Sequence, residues 1–377
     1  PPNRPAAPNG VGARCVTRTL VAALLTLGDP ATLTGGYLFH RRLADLAPTQ
    51  DARLVFVSFP ERSFPLATLN APGVLARALH LRRDVLVLDS IAAAFAGPWL
   101  ALRPPRVPMV GMLHQPPGGI DHGPPRSVVQ AVLDRLAYRR LHRLLVASDS
   151  LADELLSQGE PAERVGVVPP GRDVAEVVGP AAGDLRHGRR VSLLCVGNWV
   201  ERKGIHWLVD ALDQLPEDAA TLHLVGKLDV EPAYAARLRR RLAGPGLRDR
   251  VVVHGPLSTG EVAALYAAAD VFVLPSLKEP YGTVYGEAMA FGRPVVGWRA
   301  GNLPYLADHE REGLLLEPRD VAGLAQALRR LAVDHALRAR LGVAARARAE
   351  RRPTWREVAQ RFFAQLREVV AQLNASS

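Results

Sequence analysis

Short apolar runs alternate with longer amphipathic stretches along most of this 377-residue chain. In the first half the runs fall at 20–26, 53–58, 85–88, 107–113, 144–147 and 165–168, with helical spacing at 37–46 and 127–138. In the second half they fall at 191–196, 221–225, 251–254, 271–274, 294–297 and 313–316. Runs of this length are strands buried on both faces, and their alternation with helices predicts doubly wound parallel sheets. The stretch from Pro169 to Arg190 is rich in Gly, Pro and charge and has weak periodicity. It divides the chain into a first domain at 15–175, a linker at 176–190 and a second domain at 191–352. Beyond Asp320 the pattern is helical throughout, at 321–331, 336–349 and 355–373. The final segment, 353–377, is expected to cross back onto the first domain.

Composition narrows this picture only a little. With 48% apolar residues the chain is globular, and residues 1–14, rich in Pro, Gly and Asn, read as a disordered leader. The run at 20–27 follows Arg14 and Arg18 and loosely imitates a signal peptide, but a Gly-rich turn and an amphipathic helix follow it, as they would a first strand. No apolar run reaches membrane-spanning length. Cys15 and Cys195 form no disulfide framework or metal pattern, so a cytoplasmic setting is expected. A net charge of +10 suits an acidic substrate or an anionic membrane, with Arg41, Arg42, Arg82 and Arg83 as candidate contacts at the inner face. The Arg-rich polar faces of the last helices read as solvated surface, and no nucleic-acid motif accompanies them.

The most informative stretch runs from Val271 to Gly292. A strand ends at Leu274, a loop bears Glu279, and a helix starting near Gly282 carries Glu287 a little over one turn in. Free N–H groups at Gly282, Thr283 and Val284 make an anion site, reinforced by the helix dipole. Carboxylates bind vicinal diols well, and two of them flanking an anion site match a sugar, a diphosphate and a ribose in line. Here Pro275, Ser276, Glu279, Pro280, Tyr281, Gly282 and Glu287 stand in register with a family pattern. The chain resembles the retaining glycosyltransferases of family 4, which have the GT-B fold: two Rossmann-like domains facing a cleft, with C-terminal helices.

The resemblance implies that Glu279 meets the donor sugar and Glu287 the ribose of a nucleoside-diphosphate sugar. In Val196 to Gly204, Lys203 matches the cation that neutralises the leaving diphosphate, while Asn198 stands where the family has Arg, and Arg202 can supply that charge. Gly35 and Gly36 correspond to the paired glycines of the family's first loop. His114, ending an apolar strand, corresponds to the histidine that touches the donor hexose, whereas His122 reads as a loop residue, with acceptor contact as the alternative. Tyr305 replaces an acidic residue usual in the family.

The implied reaction is hexosyl transfer from a UDP- or GDP-linked sugar to a hydroxyl, by same-face substitution. There is no Asp-x-Asp motif, and no metal or other cofactor is expected. The acceptor, whether a saccharide, a lipid-linked group or a small natural product, has no readable code. A nucleotide-sugar 2-epimerase, a phosphorylase and a degenerate nucleotide-binding scaffold remain alternatives.

Overall fold

The computed structural model describes residues 18–29, 35–62, 64, 66–120, 123–172 and 182–375. The leader, Cys15, His122 and part of the expected linker lie outside the described residues. Among the described residues two six-stranded sheets form, every pairing in them parallel. The first contains β1 (Leu20–Leu27), β2 (Ala52–Phe59), β3 (Val85–Asp89), β4 (Met109–Leu113), β5 (Arg143–Val146) and β6 (Val165–Val167). The second contains β7 (Val191–Val196), β8 (Ala220–Val225), β9 (Val251–Gly255), β10 (Val271–Val273), β11 (Val295–Trp298) and β12 (Gly313–Leu316). Strand therefore appears at each of the twelve apolar runs. Two strands start just after a proline, Pro108 and Pro294, because that residue has no N–H to give a ladder.

The helices α1 (Gly35–Leu46), α2 (Ala71–His80), α3 (Ser90–Leu102), α4 (Arg126–Tyr138) and α5 (Asp149–Ser157) belong to the first sheet. The helices α6 (Ile205–Asp213), α7 (Pro232–Leu242), α8 (Thr259–Ala268), α9 (Thr283–Ala290), α10 (Leu303–Leu306), α11 (Val321–Val333) and α12 (His335–Glu350) belong to the second. The last helix, α13 (Trp355–Ala375), lays Val358, Ala359, Phe362, Phe363, Leu366 and Val369 onto the first sheet beside α1. Their three- and four-residue spacing makes one apolar stripe. Fully burying side chains of this size contributes roughly 1.5 to 3 kcal/mol each for the larger ones, so α13 is part of the first domain's core.

The chain crosses between the domains twice, and the crossings touch. Arg172 and Thr354 form a parallel bridge, with the Arg172 N–H donating to the Pro353 carbonyl at 2.8 Å. Residues 182–190 are packed against the second sheet: Leu185 is buried, and Arg186 makes a two-pronged contact with Asp270 at 2.8 and 2.6 Å.

Candidate active site

The second sheet runs β12-β11-β10-β7-β8-β9, so the connections leave β7 and β10 in opposite directions. Loops from such neighbouring strands diverge and leave a crevice at the carboxyl ends. Here the two loops are fastened together. Gly204 has φ +69°, and a Cβ there would stand 2.1 Å from the Pro275 carbonyl oxygen, so glycine is needed for the loops to meet. The Leu277 N–H donates to the Arg202 carbonyl at 2.9 Å, and the Arg202 guanidinium donates to the Lys278 carbonyl at 2.8 Å. This frame presses Lys203 and Glu279 into an ion pair whose side chains are 11% and 10% exposed.

Immediately beyond, Gly282 caps α9 with φ +67°. The first-turn N–H groups of Thr283 and Val284 have no carbonyl four residues back within the helix, which makes this end electropositive. Glu287 lies elsewhere than Glu279. Its carboxylate accepts from the Tyr266 hydroxyl at 3.1 Å and lines a cavity of about 100 Å³ with Thr283, Tyr281, Phe39, Arg352 and Trp355. Burial pushes the Arg352 guanidinium pKa down, and the Glu287 charge opposes that shift. Glu279 instead borders a pocket of about 160 Å³ with Lys278, Ser148, Ser150 and Gly301.

The first sheet runs β2-β1-β3-β4-β5-β6, and its switch point lies between β1 and β3. Gly35 and Gly36 form the first turn of α1, Asp89 ends β3 and caps α3, and His114 follows β4. His40 of α1 joins these elements: its Nε2 is 3.1 Å from Asp89 Oδ2 and 3.1 Å from His114 Nε2. Thr26 donates to the same Asp89 oxygen at 2.8 Å. Burial works against the Asp89 charge, but His40, His114 and Thr26 outweigh it and hold the carboxyl at about 2. Burial, with His40 adding to it, pushes His114 down to about 3, so its ring is neutral.

These donor atoms lie within 4.8 Å of one another, a spacing that could hold a metal ion. A metal-bound imidazole ordinarily donates its second N–H to an acceptor. Neither the His40 nor the His114 Nδ1 has any partner, so a shared proton accounts for the cluster better than an ion.

The domains meet at Tyr281, which packs into the first domain's core with its ring 5.5 Å from that of His114. Asn302 joins both sides, donating to the Tyr281 carbonyl at 2.9 Å and accepting from the Ser150 N–H at 3.4 Å. The Tyr305 hydroxyl donates to Asp153 across the interface at 2.5 Å. Asn198 accepts from the Lys227 N–H at 3.1 Å and so holds the turn after β7.

Lys203, Glu279, Arg202 and Gly282 thus come together, as do Gly36 and His114, while Glu287 stands apart. Sequence reading missed His40, Asp89, Asn302 and Arg352. His40 carried a signal, a polar residue in the stripe of Gly36, Phe39 and Leu43 that faces the core.

Two family models cover the chain. A glycosyl transferase 4-like domain matches residues 11–171, and "Glycosyl transferases group 1" matches residues 190–334. A D-inositol 3-phosphate glycosyltransferase of Xylanimonas cellulosilytica is 35% identical over 236 residues, 58% of this chain and 56% of that one. The match thus spans little more than half the length of that relative. Sucrose-phosphate synthase from Thermosynechococcus elongatus superposes with a TM-score of 0.78 at 23% identity, covering 95% of this chain and 100% of the other. Anabaena HepE in complex with UDP and glucose gives 0.74 at 23% identity, covering 93% and 100%. The structural likeness fixes the architecture and the family models fix the lineage: the chain belongs to the family 4 glycosyltransferases of GT-B fold.

Proposed function

We propose that the chain moves a hexosyl group from a nucleoside-diphosphate sugar, UDP- or GDP-linked, to a hydroxyl acceptor with retention and without a metal. The observation that carries this is the buried Lys203–Glu279 pair at the start of α9. With donor bound, the ammonium and the N–H groups of Gly282, Thr283 and Val284 face the diphosphate, and Glu279 takes the sugar hydroxyls. Arg202 adds charge beside Lys203, and His114 meets the hexose from the other domain. The bond from the anomeric carbon to phosphate oxygen breaks as the acceptor oxygen bonds on the same face, and the acceptor proton passes to the departing phosphate. A fixed positive cradle stabilises charge that grows on the diphosphate as the bond breaks. Glu287, beyond the helix start, is assigned the ribose.

The recorded complex of HepE with UDP and glucose supports a nucleotide-sugar donor. Pockets for whole ligands ordinarily span about 300 to 1,000 Å³. Those beside Glu279 and Glu287 are about 160 and 100 Å³, so donor entry separates the domains about the Arg172–Thr354 crossing. No described helix is long and apolar enough to cross a membrane. A peripheral contact with anionic lipid is supported by the exposed Val128, Val129 and Val132 of α4 beside Arg126, and by the net charge of +10.

Melting with UDP, GDP and ADP, followed by incubation with the matching sugar nucleotides, tests the reading. One diphosphate at a hundred times its dissociation constant should stabilise by about 2.7 kcal/mol. Its sugar conjugate should then release that diphosphate. No shift with any of the three would reject a donor site, and conversion to an epimer without transfer would reject the transferase.

A further inference from the structure

Asp89, His40 and His114 form a chain whose protons can be assigned from chemistry. An ionised carboxylate only accepts hydrogen bonds, and Asp89 Oδ2 already accepts from Thr26. His40 Nε2, 3.1 Å from that oxygen, must therefore carry a proton. The same proton faces His114 Nε2 at 3.1 Å, so that nitrogen presents its lone pair. In a neutral ring the remaining proton of His114 sits on Nδ1.

That Nδ1 is buried and has no partner, and neither has the hydroxyl of Tyr281 in ring contact with it. Gly36 leaves room on the other edge of the ring: a Cβ there would stand 3.5 Å from His114 Cδ2 and 4.0 Å from the Tyr281 oxygen. Two buried polar groups from opposite domains, both without a partner in one ring-to-ring contact, suit ligand hydroxyls at the domain interface.

We infer that His40 and Asp89 are positioning residues, which fix His114 with its proton on Nδ1 so that a neutral N–H meets a hydroxyl of the transferred sugar. This rests on the donor reading above. Neutrality matters because the anomeric carbon gains positive charge as the donor bond breaks, and a cationic imidazolium there would oppose it. Phe39, whose ring centroid is 5.1 Å from that of His114, completes the apolar wall.

The test uses the full chain labelled with ¹⁵N-histidine, together with donor hydrolysis and calorimetric nucleoside diphosphate binding. Wild-type protein should show His114 protonated on Nδ1. His40→Leu should lose that tautomer and lower kcat on the order of ten- to a hundredfold, with nucleoside diphosphate affinity unchanged. His40→Gln, whose amide N–H takes the place of Nε2–H, should restore both tautomer and turnover.

A His114 protonated on Nε2 in the wild type would overturn the inference, as would a stoichiometric divalent ion in the purified protein. So would a parallel loss of nucleotide affinity and turnover in His40→Leu, because that is what a merely structural role predicts. If no sugar nucleotide is turned over at all, the donor reading fails instead, and the imidazole spectrum alone decides the tautomer.

Discussion

At the switch point of the second sheet an ammonium and a carboxylate are pressed together, 11% and 10% exposed, at the positive end of α9. At the switch point of the first sheet the facing histidine is held neutral by burial, and the carboxylate behind it is spent on His40 and Thr26. The two crevices come from the same strand-loop-helix unit, yet among the described residues the second is built around an ion pair and the first around a neutral imidazole. A donor that breaks into a dianionic leaving group and an oxocarbenium-like sugar needs that asymmetry. Cations belong beside the phosphates, and neutral donors belong beside the sugar.

The comparison breaks most easily at Lys203. Lys203→Ala removes the ammonium and leaves Glu279 buried without its partner, so both donor binding and turnover should fall. By analogy with the loss of one preorganised charge donor, turnover should drop on the order of a hundred- to a thousandfold. Rates of donor hydrolysis check this, and a change below about threefold, under 1 kcal/mol, would show that the charged half is decorative.

A smaller effect sharpens the other half. Asp134 is buried on α4, where it accepts from the Gly118 N–H in the loop after His114 at 2.9 Å, and burial pushes its carboxyl up to about 7. A raised carboxyl pKa means the folded state keeps a proton that the unfolded chain releases. Stability from this group is therefore full below the ordinary aspartate value and is lost as pH rises from there through about 7. Asp134→Asn keeps an acceptor and cannot ionise. It should melt like wild type near pH 4 and be more stable at pH 8 by about 1 to 3 kcal/mol. A variant less stable than wild type at pH 8 would contradict the neutral character of this half.

The smallest effect concerns the outside of the first domain. Vesicles of anionic lipid should sediment the protein at low salt and release it at high salt, each basic residue near the surface contributing about 1 kcal/mol. Equal partition at both salts would remove the electrostatic contact.

Much of the charged half could be read directly. Glu279, Gly282 and Glu287 fall within nine residues, so local spacing along one loop and helix set their relation. The twelve strands were legible for the same reason, because burial of a parallel strand writes a continuous apolar run. The pairings were not legible. Lys203 meets Glu279 across 76 residues, His40 meets Asp89 across 49, and Tyr305 meets Asp153 across 152. Such contacts are decided by how sheets and domains stack, and a single sequence records only that polar residues occur on faces due to be buried. Asn198 shows the limit well: read as a lost cation, it holds a turn through the Lys227 N–H.

The central claim is that the donor straddles the start of α9, sugar toward Glu279 and ribose toward Glu287. Measuring calorimetric nucleoside diphosphate binding and donor hydrolysis for Glu279→Gln and Glu287→Gln tests it directly. Glu279→Gln should lower turnover far more than affinity, because its contact strengthens as the anomeric carbon becomes positive. Glu287→Gln should lose a charge-assisted hydrogen bond of about 1.5 to 3 kcal/mol, and with it roughly ten- to a hundredfold in affinity. If instead Glu279→Gln loses nucleotide affinity while Glu287→Gln keeps it, the donor lies the other way round.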